Sequence, residues 1–253
     1  FAYEDFGNSN YGTAIVGTVS GTSISFGTPN VYEYAEVSYQ AAVYDPDTQK
    51  VVIAYNDNRN SYHGTAVVLS TTGASIPQIG SPEVFESAQA DQISATFDST
   101  NNKVVIAYQD AGNSFYGTVV VGTVSGTSIS FGTPVIFESA TTTSISAVYD
   151  SSNQKVVIAY RDTGNSSYGT AIVGTVSGTS ISFGSPSVFE SATTVDIVAT
   201  FDSTNNKVVI AYRDSGNSDY GTAVVGTVSG TSISFGSPVV FESASSTYFS
   251  AVY

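Results

Sequence analysis

The chain consists of five copies of one unit of about 52 residues. Aligning it on an Ala-Tyr pair followed two residues later by Asp gives spacings of 52, 53, 52 and 52 residues. The aligned alanines are Ala2, Ala54, Ala107, Ala159 and Ala211. The segment GTVSGTSISFG recurs unchanged in four units, and the second unit has LSTTGASIPQIG in its place. A period near fifty without a helical pattern is typical of radial or solenoidal β arrays.

Each unit contains four strand-like runs. In the fourth copy these are 144–150, 155–162, 170–176 and 180–190. Clusters of Asn, Asp, Ser and Gly separate runs that are rich in β-branched and aromatic residues, which is the chemistry of turns between strands. We therefore expect an all-β fold with almost no helix.

The runs differ in pattern, and the difference indicates their place in the fold. The second run is continuously apolar from Val156 to Tyr160, as in a strand buried on both faces. The fourth run alternates and contains Pro186, which cannot donate to a ladder and indicates an edge strand. This combination predicts a five-bladed β-propeller of four-stranded blades. We expect residues 1–253 to form one domain, with the two termini joining in one blade to close the ring.

The repeated unit resembles a known group of proteins. KVVIAYRDTGNSSYGTAIVGTVSGTSISFG and its copies are similar to a repeat of predicted β-propeller proteins from marine bacteria and their phages, some of them similar to tail-fibre or surface proteins. The resemblance covers essentially the whole chain and implies a surface or attachment role. A weaker likeness, in blade number alone, is to five-bladed lectin propellers.

Composition excludes several classes of function. Seven Lys and Arg against twenty-one Asp and Glu give a net charge of −14, which opposes binding to nucleic acid or to an anionic membrane surface. The chain has no Cys and therefore no thiolate metal site or thiol nucleophile. No stretch approaches the roughly twenty apolar residues of a membrane span. An acidic chain rich in Ser, Thr, Gly and Tyr suits an extracellular or virion-surface location.

The candidate site lies where the units differ. In a four-stranded blade, the turn after the second strand and the link to the next blade lie on the same face. Three positions on that face vary in charge and size. The first comprises Glu4, Asn56, Gln109, Arg161 and Arg213, the second Asn10, Tyr62, Phe115, Ser167 and Asp219, and the third Tyr39, Gln92, Ser144, Asp196 and Tyr248. Two interpretations remain open: a recognition face diversified on a fixed scaffold, or drift of unconstrained loop tips.

Other candidate sites have structural alternatives. Asp214, Asn217 and Asp219 provide oxygen ligands suited to Ca²⁺, but such residues also fix turns by bonding to their own backbone. The turn is similar to the Asp-box of sialidase-type propellers, but it lacks the Trp and lies in a different loop. Glu33, Glu86, Glu138, Glu190 and Glu242 form either a ring near a channel mouth or a set of solvated charges. His63 stands where other units have Tyr, which indicates a structural position rather than a general base.

No catalytic, metal or cofactor site is therefore predicted. We expect a non-catalytic recognition or attachment module whose partner is a glycan or a cell-surface receptor. Exposed aromatic and amide side chains on one face suit stacking on sugars and hydrogen bonding to hydroxyls. The chain could also belong to a larger assembly. The alternative is a structural spacer of a fibre or surface layer with no ligand.

Overall fold

The structure is a computed structural model that describes residues 1–252. Strands make up 70% of it and helix 6%, which confirms the predicted all-β class. The strands are β1 Ala2–Asp5, β2 Tyr11–Ala14, β3 Gly17–Ser20, β4 Ser23–Phe26, β5 Asn30–Asp45, β6 Lys50–Asp57, β7 His63–Thr72, β8 Ser75–Ile79, β9 Glu83–Asp98, β10 Lys103–Asp110, β11 Tyr116–Ser125, β12 Ser128–Phe131, β13 Val135–Asp150, β14 Lys155–Asp162, β15 Tyr168–Ser177, β16 Ser180–Phe183, β17 Ser187–Asp202, β18 Lys207–Asp214, β19 Tyr220–Ser229, β20 Ser232–Phe235 and β21 Val239–Ser245. The helices are single 3₁₀ turns at Phe6–Asn8, Asn58–Asn60, Ala111–Asn113, Thr163–Asn165 and Ser215–Asn217.

Units two to five use the same antiparallel pairing. In the fourth unit β14 pairs with the second half of β13 on one side and with β15 on the other. The far edge of β15 is shared by β16 and the beginning of β17. Each of these four sheets is therefore four strands wide, as the four runs predicted. In unit one β2 pairs with β1 and β5, while β3 and β4 form a separate two-stranded sheet.

The boundary between units is different from the one expected. The fourth run does not continue as one strand, because residues 184–186 break it after β16. Its second part instead runs without interruption into the first strand of the next unit, giving strands of 16 residues such as β17. The link between consecutive units, which was expected to be a loop, is therefore a continuous strand. It contains a bulge at a residue with a left-handed backbone, such as Asp196 in β17 (φ 52°). The link contains no Gly or Pro to reverse the chain, and an extra residue in one strand bends a ladder without ending it.

The core lies between consecutive units. Val105 and Val121 of the third unit pack in one cluster with Ile158, Tyr160 and Ile172 of the fourth. Residues 156–160 are all buried, which confirms the expectation of a second strand covered on both faces. In the last unit β18 instead alternates between buried and half-buried residues, because no further unit covers its outer face. The residue-by-residue pairings among residues 1–252 include none between a strand of the last unit and a strand of the first, and the closed five-bladed arrangement stays a prediction.

Candidate functional site

In four of the five units the second strand ends in a turn that the repeated Asp caps through its side chain, the exception being Asp110. Asp57 precedes a 3₁₀ turn and accepts hydrogen bonds from the backbone N–H groups of Arg59 and Asn60 through Oδ1. Asp162 accepts from the N–H of Asn165 in the same way. These carboxylates therefore act as local turn caps. In the described part of the chain no group of three or more acidic or His side chains is placed to hold a metal ion.

The second variable position lies at the end of this turn. All five of its residues have a left-handed backbone, with φ between 61° and 64°. Their carbonyl groups accept backbone hydrogen bonds from the following long strand, as in Ala90 N–H to Tyr62 O at 3.1 Å and Thr142 N–H to Phe115 O at 3.0 Å. Because only the backbone takes part, the side chain is free to vary. Tyr62 and Phe115 are 47% and 45% exposed.

The third variable position forms the bulge of each of the four 16-residue strands, and its fifth member, Tyr248, follows the end of β21. All five residues have a left-handed backbone, with φ between 49° and 57°. The bulge of β5 falls after Ser38, which pairs with Asn56 next to the turn. The bulge and the turn tips therefore lie at the same end of the units, as expected from the sequence.

Four of these bulges meet at one cavity of about 240 Å³. Its lining comprises Tyr39, Gln92, Ser144 and Asp196, together with the residue that follows each of them: Gln40, Ile93, Ile145 and Ile197. Residues separated by about 52 positions in the sequence are thus brought together around a single opening. Tyr248, the fifth member of the set, lies outside this lining and is 91% exposed.

The first variable position is less accessible than expected. Asn56 is 1% exposed, and its Nδ2 donates to Ala90 O and to Asp91 Oδ1 of the next unit. Gln109 is also buried and donates from Nε2 to Thr142 O at 2.7 Å. Both amides hold consecutive units together, so we no longer propose them as ligand contacts.

The two arginines at the first variable position contact residues of the other two variable positions. Arg161 donates from Nη2 to Ser167 Oγ at 3.0 Å, and Arg213 Nε lies 3.3 Å from Asp196 Oδ2. Glu4, their counterpart in the first unit, has a pKa raised by partial burial and by the charge of Glu36.

The repeated glutamates form contacts that the sequence did not suggest. Each of the first four accepts a hydrogen bond from the Tyr of the following unit, at 3.1–3.2 Å, through the pairs Tyr55–Glu33, Tyr108–Glu86, Tyr160–Glu138 and Tyr212–Glu190. These four glutamates therefore form contacts between consecutive units and are not free surface charges. Burial raises the pKa of Glu138, and the nearby charge of Asp162 raises it further. The constant separation of 22 residues was the sequence signal for these pairs.

No protein-family model matches the chain, and neither does any curated protein. Among the described residues no helix is long and apolar enough to cross a membrane.

Proposed function

We propose that the five units form one closed β-propeller in which unit five packs against unit one. In the observed junctions a Phe of one unit packs on the Tyr of the next, as in Phe189 on Tyr212 with ring centroids 5.2 Å apart. The equivalent residue of unit five, Phe241, is 55% exposed. The residue of unit one on which it would pack is Tyr3, the counterpart of Tyr212. By equivalence with β17 and β18, residues 246–251 would pair with β1 and Glu242 would accept from the Tyr3 hydroxyl.

We further propose that the chain is a non-catalytic recognition module that binds a glycan. The observation that carries the proposal is the cavity at which four differing side chains meet. These side chains vary on a backbone that hardly changes between units, and recognition sites are commonly built in this way on rigid scaffolds. The half-exposed rings of Tyr62 and Phe115 at the same end provide surfaces on which a sugar can stack.

The resemblance to surface and tail-fibre proteins supports the same function. A glycan or cell-surface receptor would be met at an extracellular or virion surface. The net charge of −14 also disfavours anionic partners. We propose attachment to a neutral glycan as the role of this end of the molecule.

A glycan array with the purified chain tests this function. Selective binding is expected, and Tyr62→Ala should weaken it about tenfold or more without lowering the melting temperature. Tyr44→Ala is the matched control, because Tyr44 is 52% exposed and lies opposite Val51, at the other end of β6. Adding Ca²⁺ should change nothing, since the turn carboxylates bond to their own backbone. A folded chain that binds no glycan would favour a structural spacer.

A further inference from the structure

The cavity shared by the four bulges combines an apolar patch with polar groups. Ile93, Ile145 and Ile197 contribute aliphatic side chains, each less than a tenth exposed. They occupy equivalent positions in three consecutive units, so the patch follows from the repeat itself. Because these side chains belong to the core clusters between the units, they present only a small apolar floor to the cavity, on which the C–H face of one pyranose ring can rest.

The polar groups of the cavity are held in place by neighbouring residues. Gln92 Oε1 accepts from the backbone N–H of Ser144 at 3.0 Å, and Gln40 Oε1 accepts from the Tyr32 hydroxyl at 2.7 Å. In each amide the oxygen is thus engaged, which leaves the two Nε2 hydrogens as donors for a ligand. Asp196, positioned by Arg213, provides a carboxylate acceptor.

We propose that this cavity binds a single neutral hexose ring. The proposal rests on the proposed glycan-binding function and names the class of its ligand. A hexose presents hydroxyl groups that match the amide donors and the carboxylate acceptor, and an apolar face that matches the isoleucines. The volume of about 240 Å³ lies below the roughly 300–1,000 Å³ of pockets for drug-sized ligands, and in the proposed closed ring Tyr248 would add a fifth side chain to the lining, so the space suits one sugar unit. Asp196 and the net charge of −14 disfavour an anionic sugar.

The chain itself provides a matched pair of variants. Ser144→Tyr introduces a large side chain into the cavity at a position where unit two already has Tyr39 with the same left-handed backbone. Ser151→Tyr makes the same change in the exposed hairpin between β13 and β14, at the end of the unit opposite the bulges. Ser144→Tyr copies a residue that the fold accepts and Ser151 is exposed, so both variants should fold.

Ligand-observed NMR titrations with glucose, galactose, mannose and N-acetylglucosamine, and with glucuronate as the anionic probe, test the proposal. We expect the unchanged chain to bind at least one neutral sugar and not glucuronate. Ser144→Tyr should weaken this binding about tenfold or more, and Ser151→Tyr should leave it within about twofold. Asp196→Asn should also weaken it, and this variant tests the site should Ser144→Tyr fail to fold.

Two results would overturn the cavity as the site. One is equal affinity of the Ser144→Tyr and Ser151→Tyr variants, and the other is binding of glucuronate as tight as that of the neutral sugars. If the glycan array is positive and depends on Tyr62 while no monosaccharide binds, the proposed function stands and the hexose site is refuted. If neither assay detects binding, both proposals fail.

Discussion

At the scale of the residue, the Tyr–Glu pairs show how one repeated contact joins the units. Tyr160 is fully buried, and its hydroxyl donates a hydrogen bond to the Glu138 carboxylate. The carboxylate thereby satisfies a buried donor, but its own burial and, secondly, the nearby charge of Asp162 raise its pKa and disfavour its ionisation. A neutral acceptor at this position would keep the hydrogen bond and remove the repulsion.

Glu138→Gln should therefore change how stability depends on pH. A pKa raised by folding means that the folded state binds the proton more tightly. The stability from this group is thus complete below the ordinary glutamate value of 4.5 and is lost as the pH rises through the raised pKa. We expect the variant to be at least as stable as the parent at neutral pH and to lose less stability between mildly acidic and neutral buffer.

Urea unfolding across this pH range measures the effect. Asp47→Asn is the control, because it removes one charge from an exposed hairpin turn where the side chain contacts no Tyr. A loss of stability on Glu138→Gln at neutral pH would contradict the interpretation, since the amide would then be a poorer partner for Tyr160 than the carboxylate.

At the scale of the element, the outer strand depends on a close approach between units. A Cβ added to Gly184 would overlap the backbone carbonyl of Thr231 in the next unit. Gly184→Ala should force the two units apart and lower the free energy of unfolding by about 1–3 kcal/mol. Chemical denaturation is the measurement, with Gly178→Ala as a control in which the added methyl group meets nothing but the left-handed backbone is strained. A cost for Gly184→Ala no greater than that of the control would contradict the expected overlap.

Strand identity could be read from the sequence because local chemistry determined it. The predicted range 155–162 coincides with β14, since an apolar run between two turns allows little else. The continuity of β17 was not predicted, because it depends on a non-Gly residue, Asp196, adopting a left-handed backbone. The burial of Asn56 was missed for a similar reason. Its partners Ala90 and Asp91 belong to the next unit, and a variable polar residue beside a turn usually indicates exposure.

At the scale of the whole molecule, four junctions are formed and two matching faces are left uncovered. The outer face of unit five includes Val225 and Phe241, both about half exposed, and unit one exposes Phe26 to a similar extent. In the inner units the equivalent side chains pack against each other, as Phe189 and Phe235 do. The faces that remain open are thus the two halves of a contact that the molecule already makes four times.

Gly236→Ala distinguishes a closed ring from an open chain of units. In this structure a Cβ on Gly236 would meet only the Val225 carbonyl oxygen, at an ordinary 3.8 Å. In a closed ring the same Cβ would overlap the Thr22 carbonyl, by equivalence with Gly184 and Thr231. Closure therefore predicts that Gly236→Ala destabilises the chain about as much as Gly184→Ala does, by about 1–3 kcal/mol. A cost near zero for Gly236→Ala alone would show that unit five does not pack on unit one. If both variants are costly but the parent sediments as a dimer or larger species, the fifth junction forms between chains.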